Sequence, residues 1–224
     1  MGSIGLIAAV AFVVGPLFAW LRILPPFGGF LIFALGGLLA LVAGVMAIIR
    51  LARGRGLAPG GVAAAAAGIA FVVIAIRSAG APRINDFTTD LAEPPTFQHA
   101  ATMLANAGRD MAYPARFAPI QRACCADLRP AHLALPPAAA FTRAQSVAAR
   151  MPAWTVTRSD PGAGVIEAVA TSRLFHFQDD IVIRVRPDGS GSRVDVRSKS
   201  RDGQGDLGVN AARIRAYVAD LERS

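Results

Sequence analysis

Three apolar runs, residues 4–21, 27–49 and about 57–76, follow one another at the start of the chain, and none contains a charged side chain. Each is close to the ~20 residues that carry a helix across a hydrocarbon core of ~30 Å. Lipid offers no partner to a backbone N–H or C=O, so such runs are restricted to helices or closed barrels. Their unbroken apolar character, without strand-like alternation, selects helices. The first run is not a cleavable leader, because it lacks a basic start and two further apolar runs follow closely. The third, rich in alanine, is the least hydrophobic. Residues 1–81 therefore read as an anchor of three transmembrane helices.

The loops set its orientation. Pro25-Pro26 separates the first two runs, and that loop carries Arg22 alone; the loop between the second and third carries Arg50, Arg53 and Arg55. Arginine-rich short loops stay in the cytoplasm. The N-terminus is then cytoplasmic and the chain beyond residue 76 emerges on the far side. Arg77 and Arg83 follow the third run. Small residues recur at four-residue spacing, Gly36, Ala40 and Gly44, then Gly60, Ala64 and Gly68. Such rows let helix backbones approach closely, either within one bundle or between copies. With no ionisable side chain inside the spans there is no basis for an ion or proton pathway.

The formal charge of +8 suggests a nucleic-acid partner until it is divided along the chain. Five arginines and no acid precede residue 82; beyond it lie 18 basic and 15 acidic residues. The excess is largely juxtamembrane, where arginines meet anionic lipid head groups, and no nucleic-acid face is required.

Composition changes at Ala81-Pro82. Residues 82–136 read as an irregular connection rich in Asn, Asp, Thr and Pro. Asp86 and Asp90 with Thr88 and Thr89 would suit a hard cation, but self-capping turns explain them as well, and no metal is expected. A short helix is expected within 97–107 and a candidate first strand at 131–135; residues 113–128 show no clear period. Cys124 and Cys125 are adjacent. Neighbouring α-carbons are only ~3.8 Å apart, so a bond between them requires a strained ring. The expectation is two small side chains with free thiols, the alternative a redox pair.

Residues 137–224 carry the regular pattern. A helix over 138–151 places Phe141, Ala144, Ala148 and Met151 on one face. Strands follow at 154–159, 165–171, 179–186 and 193–198, the last two joined through the turn sequence PDGSGS. A final helix over 210–222 presents Ala211, Ile214, Val218 and Leu221, with Asn210 or Asp206 as its cap. The order β-α-β-β-β-β-α with short connections predicts an α+β domain with a mainly antiparallel sheet and two covering helices. Alternation puts Ile181, Ile183, Val185, Val194 and Val196 on one face of the sheet. Arg184, Arg186, Arg193, Asp195, Arg197 and Lys199 fall on the other. That charged face reads as solvated with cross-strand ion pairs, or as an anion-binding surface built on Arg184, Arg197, Lys199, Arg201 and Arg213.

Other patterns resemble chemistry. Gly203, Gly205 and Gly208 form a literal G-x-G-x-x-G, but a dinucleotide site needs a following parallel strand and an acid about 20 residues on; the sequence runs only to Ser224. Asp206 would also repel a pyrophosphate. The helix start, with Lys199, Arg201 and Arg213 nearby, would suit a smaller anion. Asp179 and Asp180 look like a catalytic pair, yet neighbours on a strand point to opposite faces, so one is expected to pair with an arginine and the other to be exposed. His176 lies between Phe175 and Phe177; in an extended strand the rings would face one side and the imidazole the other.

The run SRLFHFQDD followed by VDVRSKSRDGQGDLGVNAARI resembles the bacterial domain-of-unknown-function family 1499. Phe175, Phe177, Asp179, Asp180, Arg197, Ser198, Ser200, Arg201, Gly203, Asp206, Gly208, Asn210 and Arg213 occupy the positions of its signature. The run from Asn85 to Pro95 resembles its opening segment, and the likeness covers about residues 83–222. The three apolar runs match a membrane-anchored subgroup. The resemblance implies an exported or membrane-bound protein and no particular activity; together with the loop charges, the expectation is a bacterial inner-membrane protein whose C-terminal domain faces the periplasm. The expectation is a non-catalytic domain without cofactor, whose partners are membrane lipid, an anionic small ligand or an envelope protein. The alternative is an enzyme with a site around Asp179, Asp180, Arg197, Arg201 and Asp206.

Overall fold

The computed structural model describes residues 2–223, which divide into two compact units, one of residues 2–80 with Ser172–Phe177 and one of Ala81–Thr171 with residues 178–223.

The first unit is built from α1 (Gly2–Trp20), α2 (Pro26–Ala52) and α3 (Pro59–Ser78), each long and apolar enough to span a membrane. Pro26 and Pro59 occupy first helical positions, where the missing N–H costs nothing. The small-residue rows are used inside the bundle. A side chain at Gly44 would strike the backbone of Ala65 on α3, and one at Gly68 the backbone of Leu41 on α2. Ala40 and Ala64 are fully buried, while Ile7, Val13, Leu38 and Ile69 point outward. A bundle with small residues inside and large apolar ones outside is the pattern expected in lipid.

The second unit is an α+β domain. Its strands are β1 (Asp86–Thr88), β2 (Ala131–Leu133), β3 (Trp154–Asp160), β4 (Val165–Thr171), β5 (Gln178–Asp188) and β6 (Gly191–Ser200). They form one antiparallel sheet in the order β1-β6-β5-β4-β3, with β2 also paired to β6. The edge beyond β6 is thus shared: β1 takes its C-terminal half and β2 its start. α6 (Pro137–Arg150) and α7 (Val209–Arg223) cover one face. Ile166, Ile181, Ile183, Val194 and Val196 meet Phe141, Ala144, Val147, Ile214 and Leu221 in the main core, each large side chain contributing about 1.5–3 kcal/mol by leaving water. The apolar face of α7 is turned from the one expected. Tyr217 is fully buried and Val218 only partly, because the Tyr217 ring stacks on Trp154 at 5.5 Å and its hydroxyl donates to the Ala144 carbonyl.

The opposite face corrects the sequence expectation of a solvated charged surface. Residues 89–113 fold across it, and Phe97, Ala100 and Met111 pack against Val165 and Val182. Asp195, Arg197 and Lys199 are all buried. The stretch read as an irregular connection supplies the expected short helix, α4 (His99–Thr102), and the expected first strand, β2, and beyond these β1, a 3-10 turn (Leu104–Asn106) and α5 (Phe117–Cys124). Gln121 on α5 is buried and works as a substitute strand: its Oε1 accepts from the N–H of Thr88 at 3.1 Å and its Nε2 donates to the carbonyl of Thr88 at 2.6 Å. Cys124 and Cys125, expected as free thiols, are joined to each other at the end of α5, with their α-carbons 3.8 Å apart.

Candidate functional site

The charged residues of the motif occupy three separate clusters. In the first, Arg197 is buried at 1% exposure and fully buried Asp86 grips it bidentately, at 2.9 and 2.8 Å. Its remaining bonds go to the carbonyls of Pro95 and Met111, and its plane lies over the rings of Phe97 and Tyr113, 4.8 and 5.6 Å from their centroids. Lys199, opposite Asp86 in the strand register, donates to the same carboxylate at 3.1 Å. One acid thus holds two cations.

The second cluster centres on Asp180, also fully buried. Arg201 grips it through Nε and Nη2, and Asn106 donates to it at 3.0 Å. Arg109 lies 3.9 Å away and bonds the carbonyl of Ser200. The third lies on the helix face. Asp179 accepts from Arg213 at 2.6 Å, and Arg213 also bonds Ser198 and Asn210. Asn210 is fully buried; its amide donates to Ser200 and to the carbonyl of Asn85, and its oxygen accepts from Ser198. Strand alternation therefore separates Asp179 and Asp180 as expected, but neither is exposed: both are buried and both are paired with arginines.

Arg184 belongs to a fourth group nearer the surface, where Arg184, Arg186 and Arg193 interleave with Asp90, Glu93 and Asp195. The charges in that group balance. Burial raises the Asp90 carboxyl, but the N–H of Glu93, the charge of Arg193, the N–H of Ala92 and the charge of Arg184 outweigh it and hold the group below its ordinary value. Asp90 closes its own turn through Ala92 and Glu93, so the residues read as a candidate cation site form a turn and ion pairs instead. Of the five cations read as an anion surface, Arg184, Arg197, Lys199 and Arg201 share one face and Arg213 lies on the other. All five are bonded to carboxylates.

Asp206 fills the start of α7. Its carboxylate accepts from the N–H groups of Gly208 at 2.9 Å and Asn210 at 2.6 Å, so it takes the place a bound anion would have. Burial pushes its carboxyl above the ordinary value, and those two N–H groups do not cancel the effect. The glycines have a backbone role: Gly203 and Gly208 take φ of 77° and 83°, a region that costs other residues. Phe175, His176 and Phe177 are not extended. His176 has φ of 59°, and the segment closes on itself through bonds from the N–H of His176 to the Ser172 carbonyl and from the N–H of Ser172 to that of Phe177.

A shallow groove opens over the first cluster. It has a volume of about 360 Å³ and is lined by Leu91, Pro94, Thr96, Ala112, Tyr113, Ala115, Ala118 and Arg197. Tyr113 donates to Gln121 at 3.1 Å, and burial, then the nearby Asp86, pushes its phenol upward. Arg116 and Arg122 stand exposed on and beside α5.

Residues 86–221, more than half of the chain, match the family model described as Protein of unknown function (DUF1499). The chain belongs to this family. No curated protein and no solved structure matches it. The match begins at Asp86, the acid on which the burial of Arg197 depends, so the DUF1499 domain includes the covering segment as well as the sheet and helices. Several residues that complete its clusters escaped sequence reading: Asp86 as an arginine partner, Asn106, Arg109, Tyr113, Gln121 and Glu167. Glu167 is fully buried and accepts the N–H groups of Gln98, His99 and Ala100. The available signal was an acid in the middle of an otherwise apolar strand, VIEAVA, which requires buried partners.

Proposed function

We propose that this chain is a cell-envelope protein of the bacterial inner membrane, with a cytoplasmic N-terminus and a periplasmic DUF1499 domain. That domain serves as a non-catalytic binding module for an anionic ligand with an apolar part, such as a lipid head group. The orientation follows from Arg50, Arg53 and Arg55 in one loop against Arg22 in the other. Alkaline phosphatase fused after Ser224 is expected to be active; an inactive fusion reverses the topology.

The groove over Arg197 carries the binding reading. Its volume lies in the range of small-ligand sites, its walls are mostly apolar, and the exposed Arg116 and Arg122, beside and on α5, supply the cations for an anion, since Arg197 at its border is already paired with Asp86. The non-catalytic reading is supported by dispersal. Asp179, Asp180, Arg197, Arg201 and Asp206 serve separate pairs and a helix cap, whereas acid–base chemistry needs its groups around one reacting atom.

Native mass spectrometry of the full-length protein released from bilayer nanodiscs tests the groove. The expected result is an anionic adduct on the wild-type protein that is lost in Ala118→Trp, where the indole fills the groove. An adduct that survives the substitution removes the groove from this role. A wild-type protein without adduct that co-elutes with one envelope protein replaces the small ligand by an acidic protein surface.

A further inference from the structure

Phe175 and Phe177 belong to the family motif, yet the segment that carries them, Ser172–Phe177 between β4 and β5, groups with the membrane helices. The Phe175 ring lies 5.7 Å from that of Phe30 and 5.8 Å from that of Phe33, both on α2, and the Phe177 ring 5.9 Å from Phe30. Phe33 in turn meets Phe12 of α1 and Phe71 of α3.

Helix geometry gives the depth. α2 has 27 residues, so at 1.5 Å per residue it is ~40 Å long, about 10 Å more than the hydrocarbon core. Shared equally, about 5 Å at each end lies among head groups. Phe33 is the eighth residue of α2, about 10 Å from its start, and thus lies inside the acyl layer. The Phe175 ring, packed edge-on against it, is at the same level.

The segment is built for that environment. Its backbone bonds close within the turn: the N–H of Ser172 donates to the Phe177 carbonyl at 2.8 Å, and the N–H of Phe177 to the Ser172 hydroxyl at 2.9 Å. Non-helical backbone at membrane depth needs such internal partners. The His176 ring N–H donates to the carbonyl of Trp20 at 3.1 Å. Trp20 is the last residue of α1, and helix ends leave carbonyls without intrahelical partners, so the imidazole caps the helix. Leu174, 48% exposed, and Arg173, also exposed, complete the tip.

We propose that residues 173–177 form a membrane-inserting wedge belonging to the DUF1499 domain itself. Leu174, Phe175 and Phe177 occupy the outer edge of the acyl layer, and Arg173 meets the lipid phosphates. The partner of this surface is the bilayer, and the inference rests on α1, α2 and α3 being membrane spans. It assigns the two motif phenylalanines to lipid and bundle contact rather than to the domain core.

The test places single added tryptophans in the full-length protein, in nanodiscs of plain phosphatidylcholine and of phosphatidylcholine brominated near the head group or at mid-chain. Emission is read as variant minus parent. Leu174→Trp alters an exposed side chain, so it leaves the fold intact. Its added emission is expected to fall by about half or more with head-group-proximal bromine, as for a residue at the interface. Ala163→Trp, in the exposed turn between β3 and β4, is expected to be unaffected. Leu38→Trp, on the outer surface of α2, is expected to respond to mid-chain bromine. Quenching of Leu38→Trp with none at Leu174→Trp overturns the wedge and leaves the spans standing; quenching at neither position overturns both.

Discussion

Replacing Asp86 by alanine is expected to destabilise the DUF1499 domain by about 3–5 kcal/mol, the range seen when one member of a buried ion pair is removed. The cost comes from what remains. Arg197 and Lys199 stay buried beside each other, each having donated to the missing carboxylate. Trp154, stacked on Tyr217 within the domain, reports the thermal transition by fluorescence in the full-length protein. Substituting Arg197→Met together with Asp86→Leu is expected to be milder than Asp86→Ala alone, because one buried cation, Lys199, is left uncompensated instead of two. A loss below about 1 kcal/mol for Asp86→Ala, the level of an exposed pair, would show that water reaches this cluster in solution.

The second large effect concerns the limits of the domain. A polypeptide starting at residue 137 contains four long strands and both helices of the main core, yet it is expected to show no cooperative unfolding transition. One starting at residue 82 is expected to retain it. Without residues 82–136, β6 loses both edge partners and Arg197, Lys199, Asp180 and Glu167 lose the acid or the N–H groups that satisfy them, or the cover over them. Buried polar groups without partners each cost on the order of 1–3 kcal/mol, and four such losses together are comparable with the ~5–15 kcal/mol that holds a domain together, before the lost edge strands are counted. Near-ultraviolet circular dichroism through a thermal ramp separates the outcomes. A sharp transition in the shorter polypeptide would show that the covering segment is an ornament on an independent core.

The regular elements were legible because their signals are local. The strand at residues 165–171 and the helix starting at Pro137 sit within a residue or two of where period and punctuation put them. Alternation alone separated Asp179 from Asp180. The closed second face was not legible, because its cover has no period: residues 89–113 hold to the sheet through Asp90, Phe97, Asn106 and Met111, placed by turns rather than repeats. Nor could spacing show that Gln121 imitates a strand or that a tyrosine displaces Val218 from the centre of α7. The F-H-F run misled because alternation fits both a strand and a tight turn; the positive φ at His176 decides it.

The amide of Gln121 also bears on how such a domain avoids joining itself to its neighbours. An unpaired strand edge is a template on which another chain can add. Beyond β6 the sheet ends in two strands of three residues each, and the N–H and C=O of Thr88 on the shorter-reaching side are occupied by Gln121. The remaining edge is β3, whose register shifts between Val156 and Arg158. A shifted register bends a strand and spoils it for addition. One side is capped at Thr88 by a side chain and the other has a shifted register, so neither edge presents a long regular template on which a second copy could add.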